Sequence, residues 1–294
     1  MKDYLIILTG LPRGGLQSWK TLDKFVIKEL NADLALCTEN DLDKDSFIYN
    51  LADYLWLFDK RDNWEEYYIE NYSSNALKVF EKGKGAGLWE SGIIHMALKD
   101  LILKNYLNEI KKYKYFIYSR FDQFYTGKHP VFNGENIWIP KGEDYFGVND
   151  RHAVVNSKYT ENFLNICNFI DSLDPESLSN KYLNCETMFK MHLENSNLFD
   201  KVKRIERFQF TSAVKNDFTR WRVPQYNLLI NRRLKIKYPD EFIDSVKNIK
   251  SLRKKLLSFV GIDLWITYLY FHLRIKIGKQ KNKLKNYQSF EPSG

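Results

Sequence analysis

Arg120 and Asp122 lie one residue apart at the end of an apolar run, Tyr115-Phe116-Ile117-Tyr118-Ser119. In an extended chain alternate side chains share a face. This spacing therefore sends the guanidinium and the carboxylate to one side and Phe121 to the other. Facing one cleft, the pair suits a phosphate-bearing ligand, held by the arginine or through a metal on the carboxylate. The alternative is an ion pair within the strand. Ionisable groups concentrate again between the apolar runs 137–140 and 153–155, as Glu143, Asp144, Asp150, Arg151 and His152. That density exceeds what solubility asks of a loop, with a solvated polar loop as the competing reading. A third candidate follows the first apolar run, as Gly10-Leu11-Pro12-Arg13-Gly14-Gly15. Glycine amides can approach a diphosphate closely and Arg13 can pair with it, or the segment is a tight turn. It matches neither a dinucleotide-binding GxGxxG nor a P-loop.

The elements that must position these groups read as α/β. An apolar strand at 4–8, a helix at about 18–30 and a strand at 33–37 form a unit that implies parallel pairing and a right-handed crossover. Tyr54–Phe58 reads as a third strand. A Gly-rich loop, 82–87, leads to Ser91 as the expected N-cap of a helix over about 93–107, and binds an anion or turns the chain. The run 115–118 has the form of a central parallel strand buried on both faces. Its carboxyl end is where open α/β sheets bind ligands. Short strands at 137–140 and 153–155, helices at 159–173 and from about Asn184 to 193, and a last strand at 202–210 complete a mixed, mainly parallel sheet flanked by helices.

The chain of 294 residues is 44% hydrophobic and 16% aromatic, enough for a core, and carries a net charge of +8. Such charge points to anionic company. From 247 to 285 eleven basic residues face one acid, Asp263, so much of the excess belongs to the C-terminal part. Within it, 256–273 is largely apolar, interrupted by Asp263 and rich in tyrosine and tryptophan. That pattern suits a helix lying on an anionic membrane surface better than a span, with a packed structural helix as the alternative. Three scattered cysteines, Cys37, Cys167 and Cys185, argue against a disulfide framework and fit a reducing compartment. The N-terminus enters a strand with no signal-peptide pattern, so a cytoplasmic protein is expected.

These segments resemble a GT-A-type glycosyltransferase of bacterial capsule or lipopolysaccharide synthesis. The resemblance rests on Thr9-Gly10-Leu11-Pro12-Arg13-Gly14-Gly15, on Ser119-Arg120-Phe121-Asp122, on 137–145 with Asn149-Asp150-Arg151-His152, and on Asn184-Cys185-Glu186. It covers about 1–225, the catalytic domain it implies, and leaves 226–294 as a basic, aromatic helical extension. It implies a hexosyltransferase-like enzyme with a nucleotide-sugar donor and a saccharide or lipid-linked saccharide acceptor. The inner-membrane surface is met through the tail, and no nucleic acid is bound. The family's metal-holding DxD is Arg120-Phe121-Asp122 in this chain. Mn²⁺ or Mg²⁺ on Asp122, with His152 as a second ligand, is therefore one expectation; a cationic substitute for the metal is the other. Gly10, Arg13, Gly14, Gly15, Ser91, Arg120, Asp122, Arg151 and Arg220 are implied for the donor. Glu143 and Asp144 are implied for the acceptor. Glu186, then Asp150, is implied as the base that deprotonates the acceptor hydroxyl.

Rival readings are a nucleotidyltransferase or other sugar-nucleotide enzyme, and a non-catalytic membrane-associated scaffold. Nucleic-acid binding is disfavoured, because no recognition motif accompanies the basic tail.

Overall fold

The structure, a computed structural model, describes residues 2–179, 181–214, 226–229, 234–247, 266–271, 273, 274 and 277. Its strands are β1 (Tyr4–Thr9), β2 (Asp33–Glu39), β3 (Tyr54–Phe58), β4 (Tyr115–Arg120), β5 (Gln123–Tyr125), β6 (Ile137–Pro140), β7 (His152–Asn156), β8 (Val202–Ile205), β9 (Gln209–Val214), β10 (Tyr226–Leu229) and β11 (Leu234–Ile236). A seven-stranded sheet has the order β3-β2-β1-β4-β7-β6-β8. β7 runs antiparallel to both its neighbours, and the other pairings are parallel. The expected mixed, mainly parallel α/β sheet is therefore present, with β4 between β1 and β7.

Period-two alternation divides the core. Leu5, Ile7, Phe116 and Tyr118 pack with Met96, Ala97 and Ile102 of the helix Ile93–Ile110 on one face. Tyr4, Ile6, Leu8, Tyr115 and Ile117 pack with Leu22, Phe25 and Val26 on the other. Both faces of the central strands are covered, which is why they read as unbroken apolar runs. The first helix begins at Gly15 rather than near 18, and a wider π turn at Asp23–Ile27 carries it on to Leu30. A π turn, Leu88–Gly92, also precedes Ile93. Ser91 lies inside that turn and does not cap the long helix. Its hydroxyl donates back to the Gly87 carbonyl at 3.0 Å.

The strand expected at 202–210 is two strands. β8 closes the large sheet, and β9 enters a second, antiparallel sheet ordered β10-β11-β9-β5. The boundary expected at 225 falls inside this second sheet. β11 pairs with β9, and helix Pro239–Lys247 packs Phe242 on Phe210, ring centroids 5.1 Å apart. Further on, Phe271 is buried with a centroid 5.7 Å from Phe242. This part of the expected membrane stretch is thus anchored in the core: Thr267 and Phe271, one helical turn apart, are both buried, and Phe271 packs in the cluster of Phe124, Phe210, Leu234 and Ile236 from the second sheet. Residues 248–265 and 278–294 lie outside the described ones. Among the described residues no helix is long and apolar enough to cross a membrane. Cys37, Cys167 and Cys185 are free and buried.

Candidate active site

A cleft of about 290 Å³ opens at the carboxyl end of β4. Seven pieces of chain meet there: Arg120 at the strand end, Tyr145 in the loop after β6, Asp150 and Arg151 before β7, and His95 in the first turn of the long helix. Ala86, Gly87 and Ser91 before that helix, Tyr182, Asn184, Cys185 and Glu186 at and just before the start of the helix Cys185–Asn195, and Lys237 with Tyr238 just after β11 complete it. Each group is aimed by an element boundary, where the backbone stops following a regular ladder and side chains can converge.

Arg120 follows Tyr118 on the face covered by the long helix. It reaches forward to Asp122, Nε donating to Oδ1 at 3.1 Å and Nη2 to Oδ2 at 2.6 Å. Burial opposes the charge on Asp122, but Arg120 and further hydrogen bonding hold its carboxyl below the ordinary range. Arg151 donates to Glu186 Oε1 at 3.2 Å and to Glu241 Oε1 at 3.5 Å, with its guanidinium 4.8 Å from the Tyr238 ring centre. Glu241 also accepts from Arg207 at 2.6 Å and from the Thr211 amide at 2.9 Å. The helix after β11 thus braces the arginine that faces the cleft. Lys237 completes a cationic group. Burial, then the neighbouring Arg120 and Arg151, pulls its ammonium down to about 8.

The two carboxylates differ. Glu186 is raised to about 7 by burial and then by the charge of Asp150, with Arg151 opposing. Asp150 is held below the ordinary range against its burial by Lys99, His95, Arg151 and Arg120. Lys99 lies under the cleft floor with Nζ 4.3 Å from the Phe189 ring centre and, among the described residues, no hydrogen-bond partner. Burial lowers its pKa. His95 is pulled to about 4 by burial and by Arg120, so it is neutral at pH 7. Paired carboxyls whose surroundings push their pKa values apart are the pattern from which acid and base roles arise.

Of the residues singled out in sequence, Ser91, Arg120, Asp150, Arg151 and Glu186 line the cleft. Asp122 supports it from behind Arg120. Gly10, Arg13, Gly14 and Gly15 are not in its lining. A Cβ on Gly14 would stand 2.8 Å from the Phe121 carbonyl oxygen, and one on Gly15 would stand 2.4 Å from Val214. The glycine pair lets this loop pack closely on the β4–β5 turn and β9. The amides of Gly85 and Gly87 are taken by the Glu90 carboxylate, each at 3.1 Å. That occupies two of the donors a phosphate would need from this loop. Glu143 accepts from Tyr145, and Asp144 accepts from Arg204 at 2.8 Å and the Asn149 amide at 3.0 Å. Both build the loop and neither lines the cleft. Arg220 lies outside the described residues.

The pairing of Asp122 with His152 on a divalent ion does not fit. His152 sits opposite Ser119 in the β4–β7 register, and its Nδ1 is 3.1 Å from Ser119 Oγ. Ser119 falls between Tyr118 and Arg120, so this pair points to the other face of the sheet. There His152 is packed among Tyr125, His129 and Phe208. Asp122 has both oxygens on Arg120. Among the described residues no group of three His, Cys, Asp or Glu side chains is arranged to hold a metal.

The sequence reading missed His95, Lys99, Lys237 and Tyr238. His95 and Lys99 carried a signal: two ionisable residues four apart in a helix among Met96, Ala97, Leu98 and Ile102, all buried. Lys237 and Tyr238 carried none, since their place depends on β11 finding β9.

A family model described as a domain of unknown function (DUF7796) matches residues 94–228, a stretch that holds Arg120, Asp150, Arg151 and Glu186 and stops short of Lys237. No curated protein matches the chain. Among solved structures, the apo crystal structure of mouse xyloside xylosyltransferase 1 is similar over 70% of this chain and 85% of that one, at 12% identity and a TM-score of 0.37. At those values the similarity decides neither fold nor activity.

Proposed function

We propose that this protein is a glycosyltransferase of GT-A type that moves a sugar from a nucleoside-diphosphate donor to a saccharide hydroxyl. The observation that carries the reading is the convergence of Arg120, Arg151 and Lys237 on one cleft that also holds Asp150 and Glu186. Glycosyl transfer needs both halves. The departing diphosphate gains charge in the transition state, and preorganised cations in a partly dry cleft stabilise it. The acceptor hydroxyl must lose a proton, and a base is most effective with a pKa near the working pH. Glu186, poised at about 7, has that property. Asp150 stays ionised beside it and keeps Glu186 basic. In this reading the three cations do the work that the family's DxD motif gives to a metal.

The acceptor side of the proposal is a growing glycan on a lipid carrier, as in bacterial capsule or lipopolysaccharide synthesis, met at the cytoplasmic membrane surface. Its support is the described part of the tail. Thr267 and Phe271 face the core, whereas Ile266, Leu269, Tyr270, Leu273 and Ile277 are exposed. An apolar face flanked by basic sequence suits a headgroup interface.

The test is a thermal-shift screen against UDP, GDP, CDP and CMP, each with and without Mn²⁺. A ligand that binds only the native state raises its melting temperature by mass action. One diphosphate should stabilise the wild type and stabilise Lys237→Met less. No stabilisation by any nucleotide overturns the reading.

A further inference from the structure

The loop after β6 holds a conformation that only a strong local requirement explains. Gly142, Glu143, Tyr145 and Phe146 all have positive φ, at 85°, 55°, 40° and 71°. For bulky side chains this is an unfavourable region, and such strain persists only where surrounding contacts over-determine it. Those contacts are present. Asn184 donates from its side chain to the Tyr145 carbonyl at 3.0 Å, and the Val148 amide donates to the Glu186 carbonyl at 3.0 Å. Gly147 is pressed so closely on Glu186 that a Cβ there would stand 1.9 Å from its carbonyl oxygen. The loop is locked to the helix start that carries Glu186.

What it presents is aromatic. Phe146 is 84% exposed, and its ring stands edge-on to Tyr182, itself 59% exposed, at 5.8 Å and 78°. Tyr182 and Tyr145 line the cleft. Phe146, held by this loop against the cleft-lining Tyr182, presents with it an exposed aromatic pair beside the cleft. The ring geometry selects the ligand. Two rings at nearly right angles form a corner, not the parallel slot that would sandwich a planar base. A pyranose fits a corner: one face of C–H groups rests on a ring, and its rim of hydroxyls points outward to polar groups.

We propose that Phe146 and Tyr182 form a stacking platform for a pyranose ring of the acceptor, held at the mouth of the cleft by the strained 142–147 loop. This rests on the glycosyltransferase reading and specifies its acceptor as a saccharide that meets the enzyme through the apolar face of one ring.

The experiment is saturation-transfer difference NMR on the whole protein. The probes are the methyl pyranosides of glucose, galactose, mannose, xylose and N-acetylglucosamine. Wild type, Phe146→Ala and Tyr182→Ala are compared, with UDP, GDP and CDP titrated in parallel. At least one pyranoside should receive saturation on the C–H protons of a single face, and each alanine variant should reduce that signal at least fivefold. Nucleotide affinity of Phe146→Ala, whose ring is not part of the cleft lining, should change less than twofold. Loss of nucleotide affinity in Phe146→Ala with the sugar signal intact would assign the rings to the base and overturn the proposal. Absence of any pyranoside signal from wild type overturns it too. Nucleotide binding judges the cationic cleft separately, so failure of one arm leaves the other readable. A Gly147→Ala variant, which must displace the loop from Glu186, should lose the sugar signal while both rings remain.

Discussion

Arg120 grips both carboxylate oxygens of Asp122, at 3.1 and 2.6 Å, on the side of β4 that faces the cleft. The Asp122 side chain is 4% exposed, and that of Arg120 is 20% exposed. The pair is part of the fold as much as of the site. Removing one member of a buried pair typically costs about 3–5 kcal/mol, because the other charge is left uncompensated. Asp122→Asn should lose stability of that order in urea unfolding. With Asp122 so occupied, stabilisation by a nucleoside diphosphate should survive EDTA. A shift that vanishes with the chelator would return a metal to this strand end.

Lys237 offers a direct reading of ligand charge. Its ammonium lies at about 8 with Arg120 and Arg151 as neighbours. A diphosphate beside it raises that value, so binding between about pH 8 and 10 should draw a proton from solution. Calorimetry in two buffers of different ionisation enthalpy measures the uptake. Affinity should weaken as the pH rises above 8, and Lys237→Met should abolish the uptake.

Asp150 adds to the effect of burial on the protonation of Glu186. Its negative charge contributes to lifting Glu186 to about 7. Asp150→Asn removes that contribution, so Glu186 should ionise at lower pH. If Glu186 is the base, the acid limb of the pH–rate profile should move down by about one unit. A limb that stays in place, or moves up, would remove Glu186 from that role.

Two histidines in the core make the fold acid-sensitive. Burial holds His129 and His192 at about 4, although backbone carbonyls oppose it. Both are neutral in the folded state at pH 7. Their folded values lie below the unfolded value of roughly 6.5. Stability is therefore full above about 6.5 and is lost as the pH falls towards 4. By linkage each should contribute a loss of about 2 kcal/mol between pH 7 and 5. Urea midpoints across that interval check it, and His192→Gln should shrink the fall by its share.

Glu241 joins two arginines and a strand amide across the second sheet. It accepts from Arg207 at 2.6 Å, Arg151 at 3.5 Å and the Thr211 amide at 2.9 Å. Glu241→Ala leaves two buried guanidiniums short of charge and should cost about 3–5 kcal/mol. Glu241→Gln should fold better, yet weaken nucleotide binding, because Arg151 loses the partner that aims it.

Much of this protein was legible in its sequence for one reason: buried parallel strands advertise themselves. The runs at 4–8, 33–37 and 115–118 are apolar on both faces because helices cover both. The spacing of Arg120 and Asp122 then fixes their common side. The charged loop before β7 and the helix start at Asn184 were likewise visible as residue types in dense local order, and Asp150, Arg151 and Glu186 do meet. Register and distant pairing decided the rest. Ser119 opposite His152 sends that histidine through the sheet, away from Asp122. The close approach of Gly14 to the β4–β5 turn likewise depends on tertiary packing that the loop's own sequence does not show. Lys237 and Tyr238 reach the cleft, and Glu241 braces Arg151, only because β11 adds to β9, a contact between segments about 20 residues apart whose local sequence does not encode it. Local pattern determines which face a side chain takes; only the tertiary pairing determines what stands opposite.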